Sequence, residues 1–399
     1  MIKNKKLTLP ALLGGKPEFS TPIPITLPTI PPVGLFRKRY EQILKSRMIT
    51  NSKYVHEFEQ KVSKYIGVKH VVANSSCTSG LMLIMKGLGL RGEVILPSFT
   101  FHATAHAVVW NNLKPVFVDC DLETYTIDPA AVEKAITPAT SAIIGVHIFG
   151  NPCPVNDLQK IASKNSLRLI YDAAHGFGTK FHGKNVGGFG DAESFSLSPT
   201  KLLTAGEGGI VATNNDEIAG KIRIGRNYGD SGDYDPAFSG LSARMNEFNA
   251  LLGIESLNML EKNVVRRNKM VKLYIKLLSK LPGIGFQNIL EGNRSSYKDF
   301  SVLIDEKTFG LSRDVLYRAL LAENIVVKKY FDPPVHKISA FSAIRKDGEN
   351  MFPNTMKISQ NSLSLPLYSH IEEKIVIKIC KAVSRIHDNC QEIKRRKNI

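Results

Sequence analysis

Two charged residues of this 399-residue chain follow strand-like apolar runs, where an ionic side chain is costly to bury. Asp172 lies in LRLIYDAA (167–174). Lys201 lies between AESFSLS (192–198) and the glycine-rich GEGG (206–209). A buried carboxylate needs a cation or several hydrogen-bond donors, so Asp172 reads either as a paired structural acid or as a functional one. Lys201 by itself reads as an exposed loop lysine, the usual fate of lysines. Two further features share the pattern. SSCTSG (75–80) follows VVAN (71–74) and opens a helix with small hydroxyl residues, which serve as ordinary caps or as a phosphate cradle. Phe101 follows VILPSF (94–99). Together an acid, a lysine, a phosphate-grade helix start and an aromatic ring are the parts of a pyridoxal phosphate (PLP) pocket. There a lysine forms a Schiff base and a carboxylate partners the pyridine nitrogen.

The elements that must position these residues follow a clear rhythm. VVAN, VILPSF, PVFVDCD (115–121), AIIGVHIFG (142–150) and LRLIYDAA alternate with helix-length pieces such as TSGLMLIMKGL and VNDLQKIASK. This predicts an α/β fold with a largely parallel, buried sheet. AESFSLS and GIVATN (209–214) add two strands with no helix between them, an antiparallel pair that brings the total to seven. Ligands of such sheets bind beyond the carboxyl ends of strands, where Thr78, Phe101, Asp172 and Lys201 stand. A helical stretch over 247–281 bridges to a smaller α+β C-terminal domain containing DFSVLI, NIVVKKYF and the helix EEKIVIKICKAVSRIHD. The expected organisation is a proline-rich extended segment (1–34), a large α/β domain (35–255), and a bridging helix with the small domain (256–399).

Composition is that of a globular protein, with 43% hydrophobic and 22% charged residues. Five widely spaced cysteines without a CxxC pair indicate neither a disulfide framework nor a zinc site, and no metal is expected. No apolar run is long enough for a membrane span, so a soluble cytoplasmic protein is expected. The net charge of +17 is partly terminal, in KNKK and KRRK, and permits a phosphate-bearing substrate or a nucleic acid. No zinc-finger or RNA-recognition motif supports the latter.

The chain resembles the DegT/DnrJ group of nucleotide-sugar aminotransferases, within the fold-type I PLP-dependent enzymes. The resemblance runs from about Gly14 to Ala382. It rests on LGGKPEF, NSSCTSGL (74–81), GEVILPSFTFHATAHAV (92–108), YDAAHGFG (171–178), GDAESFSLSPTKLLTAGEGG (190–209), RNYG (226–229), ARMNEFNALLG (243–253), YFDPPVH (330–336) and SLSLPLY (362–368). It implies that Lys201 holds PLP covalently and then shuttles protons as general acid and base. It further implies that Asp172 keeps the pyridine nitrogen protonated, that Phe101 stacks on the ring face and that His175 contacts the cofactor near its ring oxygen. Cys77, Thr78, Ser79 and Ser196 fall to the phosphate site, and Tyr330 and His336 to the substrate side.

Two positions depart from the group's pattern. Cys77 replaces a glycine common before the phosphate threonine. Ser242 in GLSARM replaces an asparagine that reaches the phosphate bound by a partner subunit, and a shorter serine would need a bridging water. The presence of Lys201 argues against the group's dehydratase branch, which carries histidine there. The resemblance implies a homodimer that moves an amino group from glutamate or glutamine to a keto group of a nucleotide-linked deoxysugar, at C4 or C3. A cyclitol aminotransferase is the alternative enzyme, and a nucleic-acid-binding regulator the alternative of another class.

Overall fold

The computed structural model describes residues 9–344 and 351–396. Thirteen α-helices and twelve strands are found among them. Strands β1 (His70–Asn74), β2 (Glu93–Pro97), β3 (Lys114–Val118), β4 (Thr140–Val146) and β5 (Arg168–Asp172) alternate with helices. These are α3 (Cys77–Gly87), α4 (Ala103–Trp110), α5 (Pro129–Ala135) and α6 (Val155–Lys164), preceded by α1 (Arg37–Ser46) and α2 (Lys53–Ile66). A short hairpin, β6 (Lys180–Phe181) and β7 (Lys184–Asn185), leads to β8 (Ala192–Ser196) and β9 (Gly209–Thr213).

The seven-stranded sheet has the order β1-β9-β8-β5-β4-β2-β3. Neighbours from β8 to β3 are parallel, and β9 runs against both β8 and β1. The seven expected strands are all present; β1 ends with its apolar run at Asn74, and the others end one to four residues before theirs.

Both faces of the sheet are covered, which explains why its strands are nearly continuous apolar text. Alternate side chains enter two cores. Val71, Ala73, Ile143, Tyr171 and Phe195 face the layer formed by α2, α6 and the start of the long helix α8 (Glu247–Leu278). Val72, Ala142, Ile144, Ile170 and Val211 face α3, α4 and α7 (Asp216–Gly225). Local chemistry sets the helix ends. Asn215 and Asn246 cap α7 and α8 through their side chains, Asp128 caps α5 with Pro129 at its first position, and Gly67 stops α2 in a left-handed conformation at φ +86°.

Helix α8, with 32 residues, spans about 48 Å. Its Leu251, Ile254, Leu260 and Val264 belong to the first sheet core, whereas Met270, Val271, Tyr274 and Leu278 belong to a third, C-terminal core. That core lies around a small antiparallel sheet, β10 (Ile284–Phe286), β11 (Phe300–Ile304) and β12 (Ser362–Leu365). Helices α9 (Glu306–Phe309), α10 (Arg313–Ala322), α11 (Pro353–Asn361), α12 (Glu373–Asp388) and α13 (Cys390–Arg395) complete this part of the chain.

NIVVKKYF forms no strand. Ile325 and Lys328 make single bridges to Ile23 and Ser364, after which the chain turns away to bring Tyr330 and Phe331 to the cavity described below. The N-terminal segment packs on the same C-terminal core through Leu13 and Phe19. It is latched there by buried Glu323, which accepts from the Ala11 and Glu18 amides at 2.8 Å and pairs with Arg385 at 2.6 Å. Among the described residues no helix is long and apolar enough to cross a membrane.

Candidate active site

A cavity of about 330 Å3 opens beyond the carboxyl ends of β1, β2, β4, β5 and β8. Each strand delivers a residue to it: Cys77 and Thr78 after β1, Phe101 after β2, His147 after β4, Asp172 and His175 from β5, and Ser196 and Lys201 from β8. The parallel topology therefore gathers residues more than a hundred positions apart at one edge.

Asp172 is 5% exposed and forms the polar centre of this edge. Its Oδ2 accepts from the Thr104 hydroxyl at 2.7 Å, and its Oδ1 accepts from the Ala174 amide at 3.0 Å and the Cys77 thiol at 3.7 Å. Burial, and then the Asp172 charge, push the Cys77 thiol well above its ordinary range, so it stays protonated and able to donate. Among the described residues Asp172 has no Lys, Arg or His ion-pair partner, which leaves a buried acid supplied only with neutral donors.

His175 accepts from the Phe149 amide through Nδ1 at 3.1 Å, so its neutral ring carries the proton on Nε2. Burial, reinforced by Lys201 and Lys298, holds its pKa well below the usual value and keeps the ring neutral. Below these groups His147 accepts from the Cys153 amide and donates to Glu193 at 3.3 Å. Glu193 also accepts from the Gly187 and Phe189 amides at 2.7 and 2.8 Å, which fixes the floor.

Lys201 lies in the turn after β8, where its amide bonds the Ser198 carbonyl at 3.0 Å. The turn is pinned by Leu197 to Gly208 and by Ala205 to Leu197, both at 2.9 Å, so the chain doubles back into β9. Burial pushes the Lys201 amine down to about 8, Lys298 adding to the shift and Asp299 opposing it. A substantial neutral fraction is then present near physiological pH, as a nucleophilic and proton-shuttling amine requires. In GEGG, Gly208 adopts φ +153°, and a Cβ on Gly209 would sit 2.3 Å from the Ser76 carbonyl carbon. Glycine at 209 thus lets β9 run against the start of α3.

At that start Ser76 is the N-cap and forms a reciprocal capping box with Ser79. Ser79 therefore spends its hydroxyl on the cap and is not among the residues lining the cavity, unlike Cys77 and Thr78. Tyr330 lines the cavity, whereas His336 is set outside it, buried and hydrogen-bonded to the Ser98 hydroxyl at 2.5 Å. Ser242 is exposed on a bridge to Asn227, away from this chain's own cavity.

Sequence reasoning missed Thr104, the His147–Glu193 pair and the cavity-lining Lys298, Asp299 and Phe331. Thr104 lies within HATAHA, where nothing local marks it as the partner of an acid 68 positions away. Lys298 and Asp299 look like the polar approach to a strand.

The residues present fit PLP. Asp172 lacks a cation that a protonated pyridine nitrogen would provide, and Phe101 keeps a ring 48% exposed at the cavity. The first turn of α3 offers backbone N–H groups and the positive end of its dipole to a phosphate, beside Thr78 and Ser196. When bound, PLP supplies an electron sink for the carbon that loses or gains a proton. Lys201 would then hold and move that proton at Nζ, Asp172 would fix charge at the far end, and neutral His175 would offer an Nε2–H donor. This fold and this constellation define a PLP-dependent enzyme of fold-type I.

Comparison with known proteins narrows the class. Residues 34–384 match the model of the DegT/DnrJ/EryC1/StrS aminotransferase family, and the chain belongs to that family. It is 36% identical over 366 residues to the dTDP-4-amino-4,6-dideoxy-D-glucose transaminase of Escherichia coli, covering 90% of this chain and 97% of that one. It is 31% identical over 334 residues to the dTDP-3-amino-3,6-dideoxy-alpha-D-galactopyranose transaminase of Aneurinibacillus thermoaerophilus, covering 83% and 89%. Among solved structures, DesI crystallised in the presence of its TDP-sugar product superposes with a TM-score of 0.92 at 34% identity, covering 98% of this chain and all of that one. The protein is thus a PLP-dependent aminotransferase whose relatives act on nucleotide sugars.

Proposed function

We propose that the protein transfers an amino group from glutamate to the keto group of a nucleotide-linked 6-deoxyhexose, at C4 in preference to C3, through PLP held on Lys201. The observation that carries this reading is the convergence of Lys201 and Asp172 on one cavity, in a chain collinear with a 4-amino-sugar transaminase over 97% of its length. The donor loses its amine and leaves as 2-oxoglutarate. The acceptor carbonyl becomes a carbon bearing hydrogen and an amino group, so no external oxidant or reductant is needed.

The functional unit in this reading is a cytoplasmic homodimer. Residues 27–49 expose Leu27, Ile30, Val33, Leu35, Leu44 and Met48, the last 58% accessible, an apolar stretch that a second copy would cover. GLSARM would then present Ser242 to the partner's phosphate site.

The test is incubation of PLP-loaded enzyme with glutamate and a dTDP-4-keto-6-deoxyhexose, a 3-keto isomer, or a keto-inositol. Amination is followed by product mass and its position by NMR. Formation of the 4-amino sugar supports the reading. Turnover of only the 3-keto sugar or only the keto-inositol would replace it.

A further inference from the structure

Part of the cavity wall comes from the segment before β11, which no cofactor role absorbs. Lys298 and Asp299 are 5% and 7% exposed, and both line the cavity. The Lys298 ammonium bonds both Asp299 oxygens, at 2.8 and 2.9 Å. Their backbone is clamped, since the Lys298 amide donates to the Phe149 carbonyl and buried Arg267 donates to the Lys298 carbonyl, both at 2.9 Å. A buried ion pair adds little to stability and can commonly be replaced by apolar residues of similar volume. A buried pair that lines a cavity is placed to meet a ligand.

The ammonium has three N–H groups, two of them directed at Asp299, and the carboxylate keeps unused lone pairs. A donor and an acceptor held side by side match a hydroxyl, which accepts and donates through one oxygen. A carboxylate ligand would instead meet the Asp299 charge. Tyr330, whose ring centroid lies 5.8 Å from the Lys298 ammonium, and Phe331 add a flat apolar surface suited to the C–H face of a sugar ring. Burial, and then the Asp299 charge, push the Tyr330 phenol up to about 12, so it remains a donor.

We propose that Lys298 and Asp299 form a specificity-determining pair that binds a ring hydroxyl of the acceptor hexose, Lys298 donating to its oxygen and Asp299 accepting its proton. This inference rests on the nucleotide-sugar reading above. It assigns to the segment before β11 a choice among sugars that the strand-end residues do not make.

The two half-reactions separate the possibilities, because each can be followed alone through the absorbance of the loaded enzyme. One uses glutamate. The other uses dTDP-4-amino-4,6-dideoxy-D-glucose, alongside its 2-deoxy and 3-deoxy analogues. Wild-type enzyme is expected to need about 10-fold or more of one deoxy analogue for half-saturation, since a site built to bond a hydroxyl rejects a ligand lacking it. Measured above the pH at which Lys201 titrates, Lys298→Met should treat parent and analogue alike, within about 2-fold, while the glutamate half-reaction changes by less than about 3-fold. Because Lys298→Met leaves a buried unpaired acid, the double variant K298M/D299L, with neither charge, serves if the single variant does not fold, and the same loss of discrimination is expected.

Weakening of the glutamate step instead would make the pair a donor-carboxylate site and overturn the proposal. So would intact discrimination in a folded double variant, or a wild type that does not distinguish the three sugars. A wild type that reacts with glutamate but with none of the three would overturn the nucleotide-sugar reading, and this inference with it.

Discussion

Asp172, Lys201 and the first turn of α3 form one wall of the cavity, and Lys298, Asp299 and the Tyr330–Phe331 pair form another. The first wall hangs on strand ends, so its geometry is fixed by the parallel sheet and the two cores that sandwich it. The second belongs to chain beyond α8, and its place depends on how the C-terminal core seats against the sheet. Chemistry common to every PLP enzyme belongs on the first, and choice among substrates on the second. Substitutions on the strand-end wall should therefore damage both half-reactions, and those on the other wall only the sugar half.

Lys201→Ala is expected to have the largest effect, a loss of more than about 1000-fold in both half-reactions, measured as single turnovers. Asp172→Asn keeps the shape and removes the charge, and should cost about 100-fold in each half-reaction while weakening PLP retention on dialysis. A variant that lost only the sugar half would break the comparison. Thr104→Val deletes the 2.7 Å bond to Asp172 and should cost about 10-fold, again in both halves. Tyr330→Ala should raise the half-saturating concentration of the amino sugar by about 10-fold and leave that for glutamate within about 3-fold.

A further expected effect concerns pH. Below about 8 the Lys201 amine is protonated and cannot attack the PLP aldehyde, so PLP uptake by the apoprotein should fall about 10-fold per pH unit below that value and level off above it. Lys298→Met, which removes the neighbouring positive charge, should move this break upward. Stopped-flow absorbance reads both.

The two walls also differ in how far they could be read from sequence. Strand text rich in Val and Ile, interrupted by helix-length pieces, specified the sheet, and the rule that ligands sit at carboxyl ends pointed to Asp172, Phe101 and Lys201. Ser79 lies off the cavity wall: Ser and Thr at a helix start serve caps and phosphates alike, and here its hydroxyl goes to the reciprocal bonds with Ser76. His336 was drawn from a motif whose tyrosine lines the cavity while the histidine turns to Ser98. Lys298 and Asp299 left no local trace. They precede an ordinary strand, and their burial arises only when β11 and the Arg267 segment of α8 pack beside the cavity.

The central claim is that Lys201, and not Lys298, carries PLP. Borohydride reduction of the reconstituted holoenzyme, followed by proteolysis and mass mapping, tests it directly. The account predicts a single reduced adduct on the peptide containing Lys201, absent in Lys201→Ala. An adduct on Lys298, or PLP lost from the protein after reduction, would contradict it.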